Sequence, residues 1–247
     1  MDHKKRKNSY KRSPGRNSST KQYILFVEGR NTEKSYLDLL KKANCKIMPV
    51  TRRGHGISSC VDFVNESEQK WKAMPAEEKA KYDKRWLVFD DDGRADFAEG
   101  IKLARDKGFG VAFSSMCIEY WFLLHFENHN GAAIPMVNGS HSEAQIKKIN
   151  KHITAYNKNK KAESAIALYD DGSKTVEEDF FDLMMADDPV SKKSRIVTAF
   201  ERAKAIHESK KAMGAEFKES VTNMYELMLA LGVIEKNKKG QYELYRK

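Results

Sequence analysis

Three acidic residues stand at the ends of two short apolar runs. Residues 23–28 read Tyr-Ile-Leu-Phe-Val-Glu, and residues 85–92 read Arg-Trp-Leu-Val-Phe-Asp-Asp-Asp. Runs of this length, rich in β-formers, are typical of buried parallel strands. The carboxyl ends of parallel strands meet at one edge of the sheet, which is where open α/β sheets bind ligands. We therefore expect Glu28, Asp90 and Asp92 to converge on one patch.

Such a patch predicts a metal site. Three neighbouring carboxylates stay ionised only if a cation lies between them; otherwise their pKa values rise. Because the ligands are oxygens, we expect Mg²⁺ or Mn²⁺. Glu33 lies in the first turn of a predicted helix, where it either complements the helix dipole or joins the patch. Glu119 interrupts an apolar run and needs a partner, so it either extends the patch or pairs with a core arginine or lysine.

Several arginines are candidates for contacting a phosphate. Arg94 is nearest the acids in sequence and is the candidate for stabilising charge that develops during a reaction. Arg30 follows the first apolar run and its terminal Glu28. Arg52 and Arg53 open a glycine-flanked basic loop, which favours nucleic-acid binding but is also common in ordinary surface loops.

The composition favours a polyanionic partner. The 247 residues carry a formal net charge of +10 and the isoelectric point is near 9.3, which attracts nucleic acid, although generic basic proteins share this feature. Cys45, Cys60 and Cys117 show no C-x-x-C spacing, which is typical of a reduced, cytoplasmic protein. No apolar run reaches about 18 residues, so we expect no membrane span.

Strands alternate with helices in the first half of the chain, which indicates an α/β fold with a parallel sheet. We expect a basic tail over 1–21, either a disordered nucleic-acid arm or a solubilising segment. An α/β core over 22–128 and a mostly helical extension over 129–247, packed on the core, complete the chain. The helices predicted in the extension span 143–158, 175–186, 191–212 and 216–231. Their lysines fit either a nucleic-acid groove or a solvated face.

Three segments carry a resemblance to a known family. They are residues 24–33 (Ile-Leu-Phe-Val-Glu-Gly-Arg-Asn-Thr-Glu), 88–92 (Val-Phe-Asp-Asp-Asp) and 115–127 (Ser-Met-Cys-Ile-Glu-Tyr-Trp-Phe-Leu-Leu-His-Phe-Glu). A glutamate ending one strand and Asp-x-Asp ending another resembles the Toprim domain of topoisomerases, primases and overcoming-lysogenization-defect-type nucleases. The chain is more similar to the RloB family, itself Toprim-like and associated with bacterial abortive infection. The matching motifs are strong in 23–127 and weak afterwards.

The resemblance implies a Toprim-like (Rossmannoid) parallel sheet flanked by helices, with a C-terminal helical extension. It also implies Mg²⁺-dependent endonuclease activity on RNA, tRNA included, or on DNA, in anti-phage defence beside a companion ATPase. Glu28, Asp90 and Asp92 then form the catalytic set. Ser115-Met116 stands where the family usually has Asn-Pro, so we expect a turn of different shape. The alternative function is a non-catalytic adaptor that binds nucleic acid or docks the ATPase.

Overall fold

The computed structural model describes residues 22–29, 31–40, 46–51, 59–158, 160–169 and 175–245, with the backbone alone for 46–51. Several sequence predictions fall outside these residues. They concern the basic tail 1–21, Arg30, Cys45, and the loop that contains Arg52 and Arg53.

A four-stranded parallel sheet lies at the centre of the chain. Its strands are β1 (Gln22–Val27), β2 (Lys46–Thr51), β3 (Lys84–Asp90) and β4 (Gly110–Ser114), in the order β2-β1-β3-β4. The central strands pair so that Val27 lies opposite Val88 and Asp90 lies opposite Ser114. Residues 23–27 of β1 are all buried, as expected for a strand covered on both faces. The predicted α/β class and parallel sheet are confirmed, and the architecture is Rossmann-like.

Five helices follow the strands of the core in the described residues. They are α1 (Thr32–Leu40), α2 (Cys60–Ala73), α3 (Ala76–Lys79), α4 (Phe97–Asp106) and α5 (Glu119–Leu123). The Asp96 carboxylate accepts hydrogen bonds from the Ser59 hydroxyl at 2.6 Å and from the Val61 amide at 3.0 Å. These bonds tie the loop after β3 to the start of α2, and so limit the positions that this loop can adopt.

The second half of the chain is mostly helical, as predicted. Its elements are α6 (His141–Asn157), a short 3-10 helix (Ala162–Ser164), α7 (Glu178–Met185), α8 (Arg195–Ala212) and α9 (Met224–Ala230). The Ser140 hydroxyl accepts from the Glu143 amide at 3.2 Å, a helix start of the S-x-x-E type. Helix α6 packs on α5, and α9 packs on β4. The extension therefore adds to the hydrophobic core around the sheet.

The helix predicted for 216–231 begins later than expected, at Met224. The preceding residues instead cover the outer edge of β4: the Ser115 amide donates to the Val221 carbonyl at 2.7 Å, and the Asn223 amide donates to the Phe113 carbonyl at 3.1 Å. An exposed strand edge has unpaired backbone groups, so satisfying them here outweighs continuing the helix. The predicted helix for 191–212 likewise begins at Arg195, because Asp187 and Ser194 form a bridge that closes the preceding loop.

Residues 234–244 form a two-stranded antiparallel hairpin that was not predicted from the sequence. Its strands are β5 (Ile234–Lys236) and β6 (Tyr242–Leu244). Across the described residues, none of the helices combines the length and the apolar character needed to cross a bilayer.

Candidate active site

The ends of β1 and β3 lie side by side at the carboxyl edge of the sheet. The Glu28 amide donates to the Val88 carbonyl at 3.1 Å, which fixes the end of β1 beside β3. Asp90 is the last residue of β3, and its Oδ2 accepts from the Ile118 amide at 2.9 Å. Asp92 follows in a tight turn with a positive φ of 48°. The predicted acids are thus placed by two adjacent strands.

Arg94 joins two of these acids. Its Nη1 donates to Glu28 Oε1 at 2.5 Å, and its Nη2 donates to Asp92 Oδ2 at 3.0 Å. Because both carboxylates contact one guanidinium, the separation of Glu28 and Asp92 is limited by the width of that group. The Arg94 side chain is 16% exposed and that of Glu28 is 12% exposed, so this ion pair is largely shielded from solvent.

A pocket of about 370 Å³ opens beside this ion pair. Four acidic residues from three segments line it, together with Gly29 and with Ser142 at the start of α6. The acids are Glu33, Asp90, Asp92 and Glu119. Glu28 is not among the lining residues and lies against Arg94 instead. Of the two alternatives for Glu33, the structure supports the second: this residue, 8% exposed, joins the acidic patch from the first turn of α1.

Glu119 also joins the patch, as the first of its two alternatives predicted. It is 4% exposed, and its Oε1 accepts from the Tyr169 hydroxyl at 3.0 Å. Tyr169 is itself held by the Asn150 amide group, which bonds both its backbone N–H and its carbonyl at 2.8 Å. The extension therefore supplies a hydrogen-bond donor that fixes one acid of the pocket.

The pKa values in the pocket show how unfavourable this arrangement of charges is. Burial raises the pKa of Asp90 well above its usual range, and the charges of Glu33, Asp92 and Glu119 raise it further. Burial likewise raises the pKa of Glu33 to about 7, against one backbone hydrogen bond, with Glu119 and Glu28 adding repulsion. Burial also raises the pKa of the Cys117 thiol in the same pocket, so this cysteine is uncharged at neutral pH.

The donor set of the pocket fits a hard divalent cation. All its acidic donors are carboxylate oxygens, the ligand type that Mg²⁺ and Mn²⁺ prefer, and the one thiol present is protonated. Among the described residues, no three His, Cys, Asp or Glu side chains already form a metal-ligand cluster. A bound ion would therefore require the carboxylates to adjust towards it, and it would relieve the repulsion that raises their pKa values.

Two features of the site were not foreseen. Ser142 and Tyr169 come from the extension, and although the Ser140-x-x-Glu143 pattern signals a helix start, nothing local places that start beside the acids. The second feature is the turn before α5, where Met116 has a φ of 86°. Proline is fixed near −65°, so a proline at position 116 would not fit this backbone. The difference from the family's Asn-Pro turn stays a prediction.

The described site lies wholly within one family match. The family model described as RloB-like protein matches residues 23–231 of the chain. This chain belongs to the RloB-like family. The matched span includes the acids of the pocket, Arg94, and the extension residues Ser142 and Tyr169 that complete it. No curated protein and no solved structure matches the chain.

Proposed function

We propose that this RloB-like protein is a metal-dependent phosphodiesterase, an endonuclease that acts on RNA, tRNA included, or on DNA. One observation carries the proposal: acids from the end of β3, the start of α1 and the start of α5 line a single pocket at the carboxyl edge of the sheet. Arg94 stands beside them. Metal-dependent phosphodiester cleavage requires carboxylates that bind the metal and a cationic side chain that binds the phosphate. Both kinds of residue lie together here.

Asp90 and Asp92 would hold one or two Mg²⁺ or Mn²⁺ ions, with Glu33 and Glu119 as further ligands. The chemistry that such ions supply is polarisation of the scissile phosphate and a lower pKa for the attacking water. Asp90 is oriented for this role by the Ile118 amide, and Glu119 by the Tyr169 hydroxyl. Ligands held in this way lose little freedom on binding.

Arg94 would bind the phosphate and stabilise the charge that develops on it. Glu28 orients the Arg94 guanidinium through their 2.5 Å hydrogen bond. Glu28 was expected to join Asp90 and Asp92 in the metal site and the catalytic set, and such a part would require its ion pair with Arg94 to open. Arg30, Arg52 and Arg53 remain candidates for contacts with the rest of the nucleic acid.

The proposed biological role is bacterial anti-phage defence, with a companion ATPase as partner. This role is what the family resemblance implies, and the basic charge of the chain supports a nucleic-acid substrate. The ATPase partner is tested by co-purification of the two proteins and by comparing cleavage with and without the ATPase and ATP.

The cleavage proposal is tested by incubating the purified full chain with total tRNA and, separately, with plasmid DNA, in Mg²⁺ or Mn²⁺. We expect cleavage of at least one substrate, and its loss when a chelator is added. Asp90→Asn removes a proposed ligand while keeping an oxygen that accepts from the Ile118 amide. This variant should lose activity by roughly 10²-fold or more.

The matched control is Asp106→Asn, an exposed aspartate at the end of α4, which should cleave as the wild type does. Because Asp90 is a buried acid among like charges, Asp90→Asn should unfold at a denaturant concentration no lower than the wild type does. Full activity of a folded Asp90→Asn variant, or cleavage that persists in chelator, would contradict the proposal.

One observation favours the adaptor as the second candidate. In the structure Arg94 already compensates Glu28 and Asp92, and the described residues contain no ready metal cluster. An adaptor would bind nucleic acid or the ATPase without cleaving. In the same assay it would shift the mobility of tRNA or plasmid with either metal and leave the strands intact.

A further inference from the structure

A stripe of lysines runs along the exposed side of α6. Lys147 and Lys151 on α6, and Lys158 directly after its last residue, are exposed. Lys158 keeps a helical backbone, so the spacing of four and seven residues places the three on one face. We call these three residues the lysine stripe. The first two also line an open groove of about 850 Å³ with Asn138 and Thr154. The stripe and the groove thus follow the same side of α6.

Among the residues that the structure describes, Lys147, Lys151 and Lys158 take part in no ion pair. In the described part of the chain, Lys148 is the α6 lysine that forms an ion pair, with Glu127 at 2.8 Å. From Ala144 to Ala162 the sequence contains no acidic residue. Helix α8 shows the commoner arrangement for a solvated face, with Lys204 and Glu208 paired one turn apart at 3.7 Å. Glu143, one turn before Lys147, accepts from the Asn138 side chain at 2.7 Å. After Glu143 the α6 face has no acidic side chain, unlike an ordinary mixed-charge surface.

The stripe begins where the acidic pocket ends. Ser142, in the first turn of α6, lines the pocket, and the next residue, Glu143, lines the groove. Lys147 follows one turn later. The 17 residues of α6 extend for about 25 Å from the pocket. A chain-like ligand with one unit in the pocket would therefore reach the stripe with its neighbouring units.

Two connections hold α6 in a fixed position relative to the pocket. Asn150 bonds the backbone of Tyr169, whose hydroxyl bonds Glu119 in the pocket. On the other side, Lys148 and His152 both contact Glu127, just after α5. The direction from the pocket to the stripe is thus set by the fold.

We propose that the lysine stripe binds the phosphate backbone of the nucleic-acid strand whose scissile bond enters the pocket. This inference rests on the proposed function. The pocket has the volume of a small-molecule site, so the flanking nucleotides must lie outside it. The rise of four helical residues, about 6 Å, is of the same order as the spacing of phosphates along a strand. Contacts of this kind give affinity without sequence preference.

Fluorescence anisotropy tests the proposal without requiring cleavage. The probes are a labelled 20-nucleotide RNA and a DNA of the same sequence, titrated with the full chain in chelator over a series of salt concentrations. The test variant is Lys147→Gln/Lys151→Gln. The control is Lys102→Gln/Lys211→Gln, which removes the same charge from exposed positions on α4 and α8.

We expect the stripe variant to bind at least one probe several-fold more weakly, and its plot of log affinity against log salt to flatten by about 1.4 for two lost single-strand contacts. The control should match the wild type. Stripe-dependent binding of the RNA probe alone, or of the DNA probe alone, identifies the sugar that the protein requires. Equal weakening by both double variants, or none by the stripe variant, would overturn the proposal.

The outcome is separable from that of the cleavage assay. The binding assay is run in chelator, so its result does not depend on the metal that cleavage requires. Stripe-dependent binding by a protein that never cleaves would refute the endonuclease and keep the binding surface. Metal-dependent cleavage by the wild type, with unchanged binding by the stripe variant, would support the endonuclease and refute the binding surface.

Discussion

Arg94 determines how the acids at the sheet edge are distributed between two environments. Its guanidinium compensates Glu28 and Asp92, so these two carboxylates are held in an ion-pair network, although Asp92 also lines the pocket. Glu33 and Asp90 lie on the pocket side, where burial and repulsion raise their pKa values. A cation in the pocket would stabilise that second group in the way that Arg94 stabilises the first.

Gly29 is the residue that allows Glu33 to reach the pocket. A Cβ atom at Gly29 would lie 1.8 Å from Glu33 Oε2, so Gly29→Ala must displace the Glu33 carboxylate. Because the end of a flexible side chain can move, we expect the free energy of unfolding to change by less than about 1 kcal/mol. Mn²⁺ affinity, measured by isothermal titration calorimetry, should fall by about 10-fold or more, as when the support of a ligand is lost.

A double-mutant cycle isolates the cause of this effect. In a Glu33→Ala background the collision is absent, so adding Gly29→Ala should leave Mn²⁺ affinity unchanged. If Gly29→Ala weakens binding equally in both backgrounds, the glycine acts through something other than the Glu33 carboxylate.

The sequence predicted the part of the site that depends on local structure. Asp90 and Asp92 directly follow an apolar strand, and Glu28 follows another, so the parallel pairing of β1 and β3 is enough to bring them together. Glu119 was left between two alternatives, because its partner Tyr169 is 50 residues away. Ser142 could not be placed at all, since only the packing of α6 on α5 brings it to the pocket.

At the scale of elements, the differences from prediction arise where tertiary hydrogen bonds compete with helix formation. Residues 216–231 were predicted as one helix, yet residues 221–223 lie along the edge of β4. Asn223 explains why the helix starts only after it. Its side chain accepts from the Phe113 amide at 2.6 Å and donates to the Val111 carbonyl at 2.9 Å. One side chain thus makes the hydrogen bonds that a neighbouring strand would make at the edge of β4.

We expect Asn223→Ala to destabilise the protein by about 2–4 kcal/mol, because it leaves a buried amide and a buried carbonyl of β4 without their bonds. The measurement is the free energy of unfolding from urea titration. Asn237→Ala is the matched control, since Asn237 bonds Lys239 and Gln241 in the exposed turn of the β5–β6 hairpin. It should lose less than about 1 kcal/mol, and an equal loss in both variants would contradict the role given to Asn223.

At the scale of the molecule, the contact between α5 and the extension surrounds one buried histidine. His125 is 2% exposed, and its Nδ1 lies 3.0 Å from the Trp121 carbonyl. Its Nε2 has no hydrogen-bond partner among the described residues. Arg195 and Arg202 of α8 add positive charge nearby, and Arg202 donates to the Leu124 carbonyl at 2.7 Å. The site therefore excludes a protonated imidazole.

This exclusion predicts a loss of stability in mild acid. Burial lowers the pKa of His125 to about 3 from its ordinary value of 6.5, with the two arginines acting in the same direction. Below pH 6.5 the unfolded chain takes up a proton at His125 that the folded chain refuses. The stabilisation is thus complete above pH 6.5 and declines as the pH falls towards 3, by about 2 kcal/mol between pH 7 and pH 5.

Urea titrations of the wild type and of His125→Gln at pH 7 and pH 5 measure this difference. The buried acids act in the opposite direction, because Glu33, with its raised pKa, binds its proton more readily in the folded state. The informative quantity is therefore the change in unfolding free energy with pH in the wild type minus that in the variant. That difference should be about 2 kcal/mol. The control is His152→Gln, which replaces a half-buried histidine bonded to Glu127. Its unfolding free energy should change between pH 7 and pH 5 as that of the wild type does. Parallel pH profiles for the wild type and His125→Gln would mean that α5 and α8 tolerate the charged ring, and that their packing does not limit stability in acid.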